Sequence, residues 1–307
     1  IPVYNASCYI RECLDSIISS KTNIEIICIN DGSTDNSLDI IENYRKKDQR
    51  IRIFSQTNQG LSSARNKGIE LSLSDYLIFI DADDYITTNA ITLLTSFVRK
   101  NCFDIVLFNF SAHEPIEESY EIEIESTNKT RILEGVLSME ISTSVCYCII
   151  SKKIFIENRI KFPPKKYYED AFTLHKITHY SKSPCKIKNT FYFYRTTPGS
   201  ITNSTDINKV DDLFLSIDVI YKYIESKNYP EYSYLAEGRF CIFINSILKN
   251  INQDWFNSDL LKYFLHKTIN ACKKYRINIS IIYTFFYTTF KLNLNYFEIL
   301  SKTFGRF

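Results

Sequence analysis

The feature that most constrains the fold is an alternation across the first hundred residues, where short apolar, β-branched runs are separated by stretches whose apolar residues recur at helical spacing. Runs at Ile1–Val3, Ile24–Ile29, Ile51–Phe54, Tyr76–Ile80 and Asp104–Phe108, each bounded by polar turn residues, predict buried strands. Between them Ile10, Leu14, Ile17 and Ile18, and later Leu61, Ala64, Gly68 and Leu71, mark helices. The small members of the second stripe would let that helix approach the sheet closely. Parallel neighbours need a crossover, usually a helix, so the alternation predicts an α/β fold with a mostly parallel sheet flanked by helices.

Open sheets of this kind bind ligands beyond the carboxyl ends of their strands, and polar residues gather there. Tyr4-Asn5 follows the first strand, Asn30-Asp31-Gly32-Ser33 the second, Asn58-Gln59-Gly60 the third and Asp81-Ala82-Asp83-Asp84 the fourth. Further on, the acidic alternation from Tyr120 to Glu125 suits an exposed antiparallel hairpin strand. Thr197-Pro198-Gly199-Ser200 reads as a turn, and from Asp206 to Phe307 the periodicity is helical. The expected division is an α/β domain over 1–205, with halves meeting near residue 110, and a helical region over 206–307.

With 45% hydrophobic and 23% charged residues the chain is a folded one, and a net charge of +2 lacks the basic footprint that nucleic acid requires. Charge is uneven, however. Residues 261–307 hold eight Lys or Arg against the single acid Glu298, net +7, which leaves the rest at −5. Anionic membrane surfaces attract such cations, so peripheral docking at the inner face of the cytoplasmic membrane stands beside a solvated basic face or a partner surface as a reading of this region. Nine scattered cysteines without framework spacing argue for reduced thiols and a cytoplasmic location, and Cys146 and Cys148 form only a C-x-C, read as core or loop residues. The chain opens inside a strand without Met, so a few residues are expected before it. The longest apolar stretch, Ile279–Phe290, is far below the ~20 residues that span a bilayer.

Three carboxylates within four positions at a strand mouth repel one another unless a cation neutralises them, and all-oxygen ligands favour Mg²⁺ or Mn²⁺. Asp81, Asp83 and Asp84 are therefore candidate metal ligands. Asp35 suits a cap on the helix that follows, leaving Asp31 free for a base or ribose. Glu169 and Asp170 precede a helical stretch from Ala171 through Tyr180, where acids are favoured at a helix start. His175 and His179 lie one turn apart without an H-E-x-x-H pattern, and the chain has neither a P-loop nor a G-x-G-x-x-G.

Ile1-Pro2-Val3-Tyr4-Asn5, Ile29 to Asp35, Asn58 to Gly68 with its Ala64-Arg65-Asn66, and Phe79 to Asp84 stand in order. Together they resemble the family 2 glycosyltransferases of GT-A fold. The resemblance implies a nucleotide-sugar site, with 1–110 as the nucleotide-binding half and 111–205 as the acceptor half. Pro2, Val3, Tyr4 and Asn5 would lie along the nucleotide, Tyr4 against the base, with Asp31 on the base or ribose and Gly60 and Arg65 beside the same pocket. Asp81 and Ala82 would flank Asp83, the metal residue bridging the diphosphate, while Asp84 supports the site or shares that duty. Asp170, with Glu169 as the neighbouring alternative, would be the base that deprotonates the acceptor. Arg195 in Tyr194 to Ile201 would close over the diphosphate or serve as a structural strand-end arginine. The implied reaction is inverting transfer from a nucleotide-sugar, by precedent a UDP-sugar, to a hydroxyl of a saccharide or lipid-linked saccharide, in bacterial surface-polysaccharide synthesis. A non-catalytic nucleotide-sugar-binding or assembly subunit, and a metal-dependent nucleotidyl or phosphoryl transferase, are the rival readings.

Overall fold

The computed structural model describes residues 1–112, 119–197, 207–227, 239–240 and 259–275, and the chain divides into two compact units, 1–239 and 240–307. The first unit opens with the expected alternation. Strand β1 (Pro2–Val3) leads to α1 (Ile10–Ile18), β2 (Ile26–Asn30) to α2 (Ser37–Lys47), β3 (Ile51–Ser55) to α3 (Leu61–Leu71), and β4 (Tyr76–Ile78) to β5 (Tyr85–Ile86) and α4 (Ala90–Asn101). Strands β1, β2 and β3 pair in that order, all parallel, with Val3 opposite Asn30 and Asn30 opposite Ser55. The buried stripe of α1 is Ile10, Cys13, Leu14 and Ile17, close to the periodicity in the sequence. Gly68 on α3 faces Ile29 of β2, and a Cβ added there would stand 4.0 Å from the Ile29 side chain, an ordinary contact, so packing at this point does not itself require glycine.

The chain continues with β6 (Ile105–Ser111), β7 (Ile124–Ser126), α5 (Lys129–Ser138), a single 3₁₀ turn at Val145–Tyr147, β8 (Cys148–Ser151), α6 (Lys152–Glu157), α7 (Leu174–Tyr180), β9 (Pro184–Phe193) and α8 (Ile207–Ser226). These build a second, six-stranded sheet in the order β4-β8-β6-β9-β5, with β7 also on β9. Strand β8 is antiparallel to both β4 and β6, while β6 and β9 run parallel. It follows that β4, β6 and β9 all point one way, and only β8 is reversed between them. Their carboxyl ends meet at one edge, and the amino end of β8, with the 3₁₀ turn before it, arrives there from the opposite direction.

Several expectations change in detail. Strand β4 stops at Ile78 because Phe79 and Ile80 leave the ladder, although both stay buried in the core. The acidic alternation forms a strand only at Ile124–Ser126, and its antiparallel partner is the distant β9 rather than a hairpin neighbour. Helix α7 begins at Leu174, after turns at 171–173. Helix α8 starts close to the expected change of pattern, and it falls within the compact unit 1–239. Its buried Asp212 accepts hydrogen bonds from Lys166 Nζ at 2.6 Å and from the Tyr167 amide at 3.0 Å. In the second unit α9 (Asp259–Tyr275) buries Phe264, Ile269 and Cys272. The turn at Pro198–Ser200, Ile279–Phe290 and the basic residues beyond 275 lie outside the described residues. No helix among the described residues is long and apolar enough to cross a membrane.

Two loops at the carboxyl edge are fixed by side chains. Gly32 takes φ +73°, and a Cβ there would meet the Asn58 amide nitrogen at 2.8 Å, so both conformation and space require glycine. Asp35 accepts the amides of Ser7 at 2.9 Å and Ser37 at 3.0 Å, pinning the loop after β1 to the start of α2. Burial alone would raise its carboxyl, but the hydrogen bonds from Ser37 and Ser7 outweigh it and hold the group down to about 2. A depressed carboxyl stabilises the fold above its unfolded value near 4, and that contribution disappears as pH falls through about 2. In urea unfolding, Asp35→Ala is expected to lose about 1–2 kcal/mol at pH 7 and progressively less below pH 4; an equal loss at pH 7 and pH 2 would contradict this assignment.

Candidate active site

The site is assembled where the strands end. Asp31, after β2, is 3% exposed. Its Oδ1 accepts Gln56 Nε2 at 2.7 Å and the Gln59 amide at 2.9 Å, and its Oδ2 accepts the Gly60 amide at 2.8 Å. The carboxylate therefore shapes the loop between β3 and α3, whose Gly60 caps α3 at φ +87°. Asp31 also donates its own amide to Val3 at 2.8 Å, which sets the end of β1 beside it. Beyond β1, Asn5 sits in the left-handed region at φ 49°, its side-chain oxygen accepting the Thr34 amide at 2.8 Å. Tyr4 before it is 52% exposed, an aromatic face open to solvent at the edge of this loop cluster.

Arg65, in the first turns of α3, is the centre of the charge arrangement. Its guanidinium is 1% exposed and faces three carboxylates. Nη1 donates to Glu169 at 2.6 Å and to Asp170 at 2.8 Å, and Nη2 donates to both oxygens of Asp81 at 2.9 and 3.2 Å. The ring of Phe162 lies 5.6 Å from the guanidinium carbon. Burial works against the arginine's charge, but Asp170 and Asp81 prevail, so it holds its proton more tightly than an exposed arginine. One cation cannot neutralise three acids. Burial pushes the Asp170 carboxyl up to about 7, against the pull of Arg65 and with the help of Glu169 and Asp81. Asp170 is about 15% exposed and accepts the Val145 amide at 3.3 Å through its second oxygen. Just before it Tyr168 adopts φ 59°, a conformation a tyrosine takes only when its surroundings impose it.

The other two acids of the strand-end motif divide the work. Asp84 is buried, its Oδ2 accepting the Tyr192 hydroxyl at 2.7 Å and its Oδ1 the Arg195 amide at 2.8 Å. Burial and then Asp81 raise its carboxyl to about 7. With a hydrogen bond on each oxygen, Asp84 braces the motif against β9. Asp83 is only half-buried, and from other described residues its carboxylate receives just a long hydrogen bond from Thr197 at 3.4 Å. Burial and the charge of Asp81 raise it too. An under-compensated hard oxygen donor of this kind fits Mg²⁺ or Mn²⁺, which take one or two carboxylates and complete their shell with water and phosphate oxygens. Among the described residues no three His, Cys, Asp or Glu side chains form a metal cage by themselves.

Residues 1–159 match the family model described as glycosyl transferase family 2. The chain belongs to glycosyl transferase family 2. Among curated relatives, EpsH of Bacillus subtilis (strain 168) is 32% identical over 210 residues, covering 66% of this chain and 61% of EpsH. The chain thus spans under two thirds of that relative's length. Among solved structures, S. aureus TarS 1–349 in complex with UDP-GlcNAc superposes with a TM-score of 0.67 at 19% identity, covering 89% of this chain and 78% of that one. The mannosyltransferase PcManGT from Pyrobaculum calidifontis, in complex with GDP-Man and Mn²⁺, gives 0.54 at 12% identity, covering 90% and 85%. At these identities the superpositions establish the shared fold.

In this family 2 chain the structure brings Arg65, Asp81, Glu169 and Asp170 together, although Glu169 and Asp170 stand 104 and 105 residues beyond the arginine. Arg65 thereby directs both Nη groups to carboxylates, while its buried Nε has no hydrogen-bond partner among the described residues. Ala82, 6% exposed, packs into the core between the acids. Arg195 is held by its own contacts: Nε donates to the Asp83 carbonyl at 2.9 Å, Nη2 pairs with Glu12, and the guanidinium lies 5.6–5.8 Å from the rings of Tyr9, Tyr85 and Phe193. These contacts hold the guanidinium against α1 and β5 in the way a structural strand-end arginine would be held. His175 is buried, its ring against Tyr223 and its Nδ1 at the Ala171 carbonyl, consistent with a core histidine.

Sequence reasoning missed the 3₁₀ turn and Tyr192. The Val145 amide reaches Asp170, and the Cys146 thiol lies 3.5 Å from both Asp81 Oδ2 and Arg65 Nη2. The Tyr192 hydroxyl accepts the Asp81 amide at 3.1 Å while donating to Asp84. Cys146 is a core cysteine, as expected, but the core it occupies is the floor of the site. Its one available signal was the C-x-C entering a strand. Because removing one partner of a buried ion network leaves the others uncompensated, Arg65→Met is expected to cost about 3–5 kcal/mol in urea unfolding at pH 8. The loss should shrink toward pH 5 as the orphaned carboxylates take protons; a loss under about 1 kcal/mol at pH 8 would remove Arg65 from this role.

Proposed function

We propose that this chain is an inverting glycosyltransferase that moves a sugar from a UDP-sugar to a hydroxyl of a saccharide or lipid-linked saccharide acceptor in bacterial surface-polysaccharide synthesis. The observation that carries the reading is the convergence of Asp81 and Asp170 on the single guanidinium of Arg65, which joins the strand-end acids of the donor side to an acid suited to proton transfer. A base works best when its pKa lies near the operating pH, and Asp170 is pushed to about 7. Asp170 Oδ takes the proton of the acceptor hydroxyl as that oxygen attacks the anomeric carbon in line. The bond to the diphosphate breaks, configuration inverts, and UDP leaves. Arg65 holds the carboxylate in place, and Glu169 is the adjacent alternative base.

On the donor side the exposed ring of Tyr4 suits the base, and the loop that Asp31 organises, with Gly60 at its end, suits the ribose and diphosphate. Pro2, Val3 and Asn5 supply the backbone edge beneath it. A Mn²⁺ or Mg²⁺ held by Asp83, with Asp81 beside it, would neutralise charge gathering on the departing diphosphate. UDP as the nucleotide draws support from the UDP-GlcNAc complex of TarS, and a metal from the Mn²⁺ complex of PcManGT. The basic residues of 261–307 would favour an anionic membrane surface carrying a lipid-linked acceptor.

Release of UDP from a panel of UDP-sugars with Mn²⁺ tests the proposal. Asp83→Ala and Asp170→Asn are each expected to lose at least about 100-fold in rate. Near-normal turnover in either variant takes that residue out of the mechanism, and a loss confined to Glu169→Gln transfers the base role to its neighbour.

A further inference from the structure

Three aromatic rings at the same edge, Phe110, Tyr147 and Tyr194, have no part in the chemistry above, and they adjoin a fourth, Tyr192, that braces the acidic motif. Phe110, at the carboxyl end of β6, is 43% exposed, unusual for a large apolar residue one position from the end of a buried strand. One face of its ring is covered by Tyr147, stacked at 4.3 Å with an interplanar angle of 10°. Tyr147 in turn meets Tyr192 edge-on at 5.0 Å, and Tyr194 stands edge-on to Phe110 at 6.4 Å. Tyr192 is opposite Phe110 in the ladder between β6 and β9 and bonds Asp84 through its hydroxyl. The exposed ring is thus backed by a rigid aromatic wall that ends on the acidic motif.

The 3₁₀ turn ties this wall to the proposed base. Val145 donates to Asp170, Cys146 lies against Asp81 and Arg65, and Tyr147 supports Phe110, three consecutive residues touching three parts of the site. Two residues along such a turn amount to about 4 Å of rise, comparable with the width of one pyranose ring. The free face of Phe110 comes from β6, whereas Tyr4, Asp31 and Gly60 come from the ends of β1, β2 and β3 and their loops. Although residue 110 closes the nucleotide-binding half, the ring behind Phe110 belongs to the turn whose Val145 amide bonds the proposed base, which sets this face on the acceptor side. A preorganised aromatic plane presents apolar area at little entropic cost, and the C–H face of a sugar ring is the complementary surface.

We propose that the exposed face of Phe110, backed by Tyr147 and flanked by Tyr194, is a stacking subsite for a pyranose ring of the acceptor. This subsite rests on the glycosyl-transfer reading, and its test is separable from it. Saturation-transfer NMR is run on the whole chain with UDP present, using the methyl β-glycosides of glucose, galactose and N-acetylglucosamine as probes. Protons on one face of at least one probe should receive saturation, and that signal should fall at least threefold in Phe110→Ala and Phe110→Leu, the latter keeping apolar bulk without an aromatic plane. Phe110→Trp should retain it. No face-selective signal from any of the three probes, or a signal undiminished in Phe110→Leu, overturns the subsite. UDP release from the donor in water, measured in parallel, should stay within twofold in Phe110→Leu; a tenfold loss there would assign the ring to the donor and also overturn it. Stacking without UDP release by any form of the protein would instead overturn the glycosyl-transfer reading.

Discussion

The buried guanidinium of Arg65 is the interaction on which the rest of the site depends. Three acids contributed by two distant segments would repel one another in a region largely closed to water, and the interior supplies no other cation among the described residues that touches all three. Arginine suits this position better than lysine because its planar fork offers donors in two directions, one pair toward Asp81 and one toward Glu169 and Asp170. The charge left over is not a defect. Burial first, and then the charges of Glu169 and Asp81, push the Asp170 carboxyl up to about 7, and burial with the charge of Asp81 raises Asp83 as well.

Topology delivers the groups to that cation. Because β4, β6 and β9 share a direction, Asp81, Phe110 and Arg195 all emerge at one edge. The reversal of β8 brings its amino end to the same edge, so a turn that would otherwise lie at the far side of the sheet carries Val145, Cys146 and Tyr147 into the site. Tyr192 then locks strand β9 to the acidic motif through Asp84 and the Asp81 amide. A chain built from parallel strands alone would present strand ends but no such inward turn.

Much of this was legible locally. Strands β1 to β4, their intervening helices and the strand-end acids follow from periodicity rules that operate over a few residues, whereas Asp35, expected as the cap of α2, stands one residue before the actual N-cap Asn36 and also ties down the distant Ser7. The resemblance to family 2 then pointed to Asp170 by position. What could not be read were partnerships across long separations. Nothing near Arg65 announces that its acids lie 104 and 105 positions away, and nothing near Asp84 announces Tyr192. The antiparallel insertion of β8 was hidden for the same reason, since Cys148–Ser151 is a short apolar run that a sequence pattern cannot orient. The change of pattern near 206 marks the start of α8, while the bond from the Tyr167 amide to Asp212 has no local signature.

The claim that Arg65 electrically joins the two halves is tested most directly by the pH dependence of kcat/KM in the wild-type chain and in Asp81→Asn. Asp81 is one of the charges that raise Asp170, and both share the same guanidinium. The wild type is expected to show an acid limb near pH 7, and in Asp81→Asn that limb is expected to move to lower pH, because Arg65 is released to serve Asp170 and a repelling charge is gone. A limb at the same pH in both proteins, whatever the loss in rate, would contradict the account.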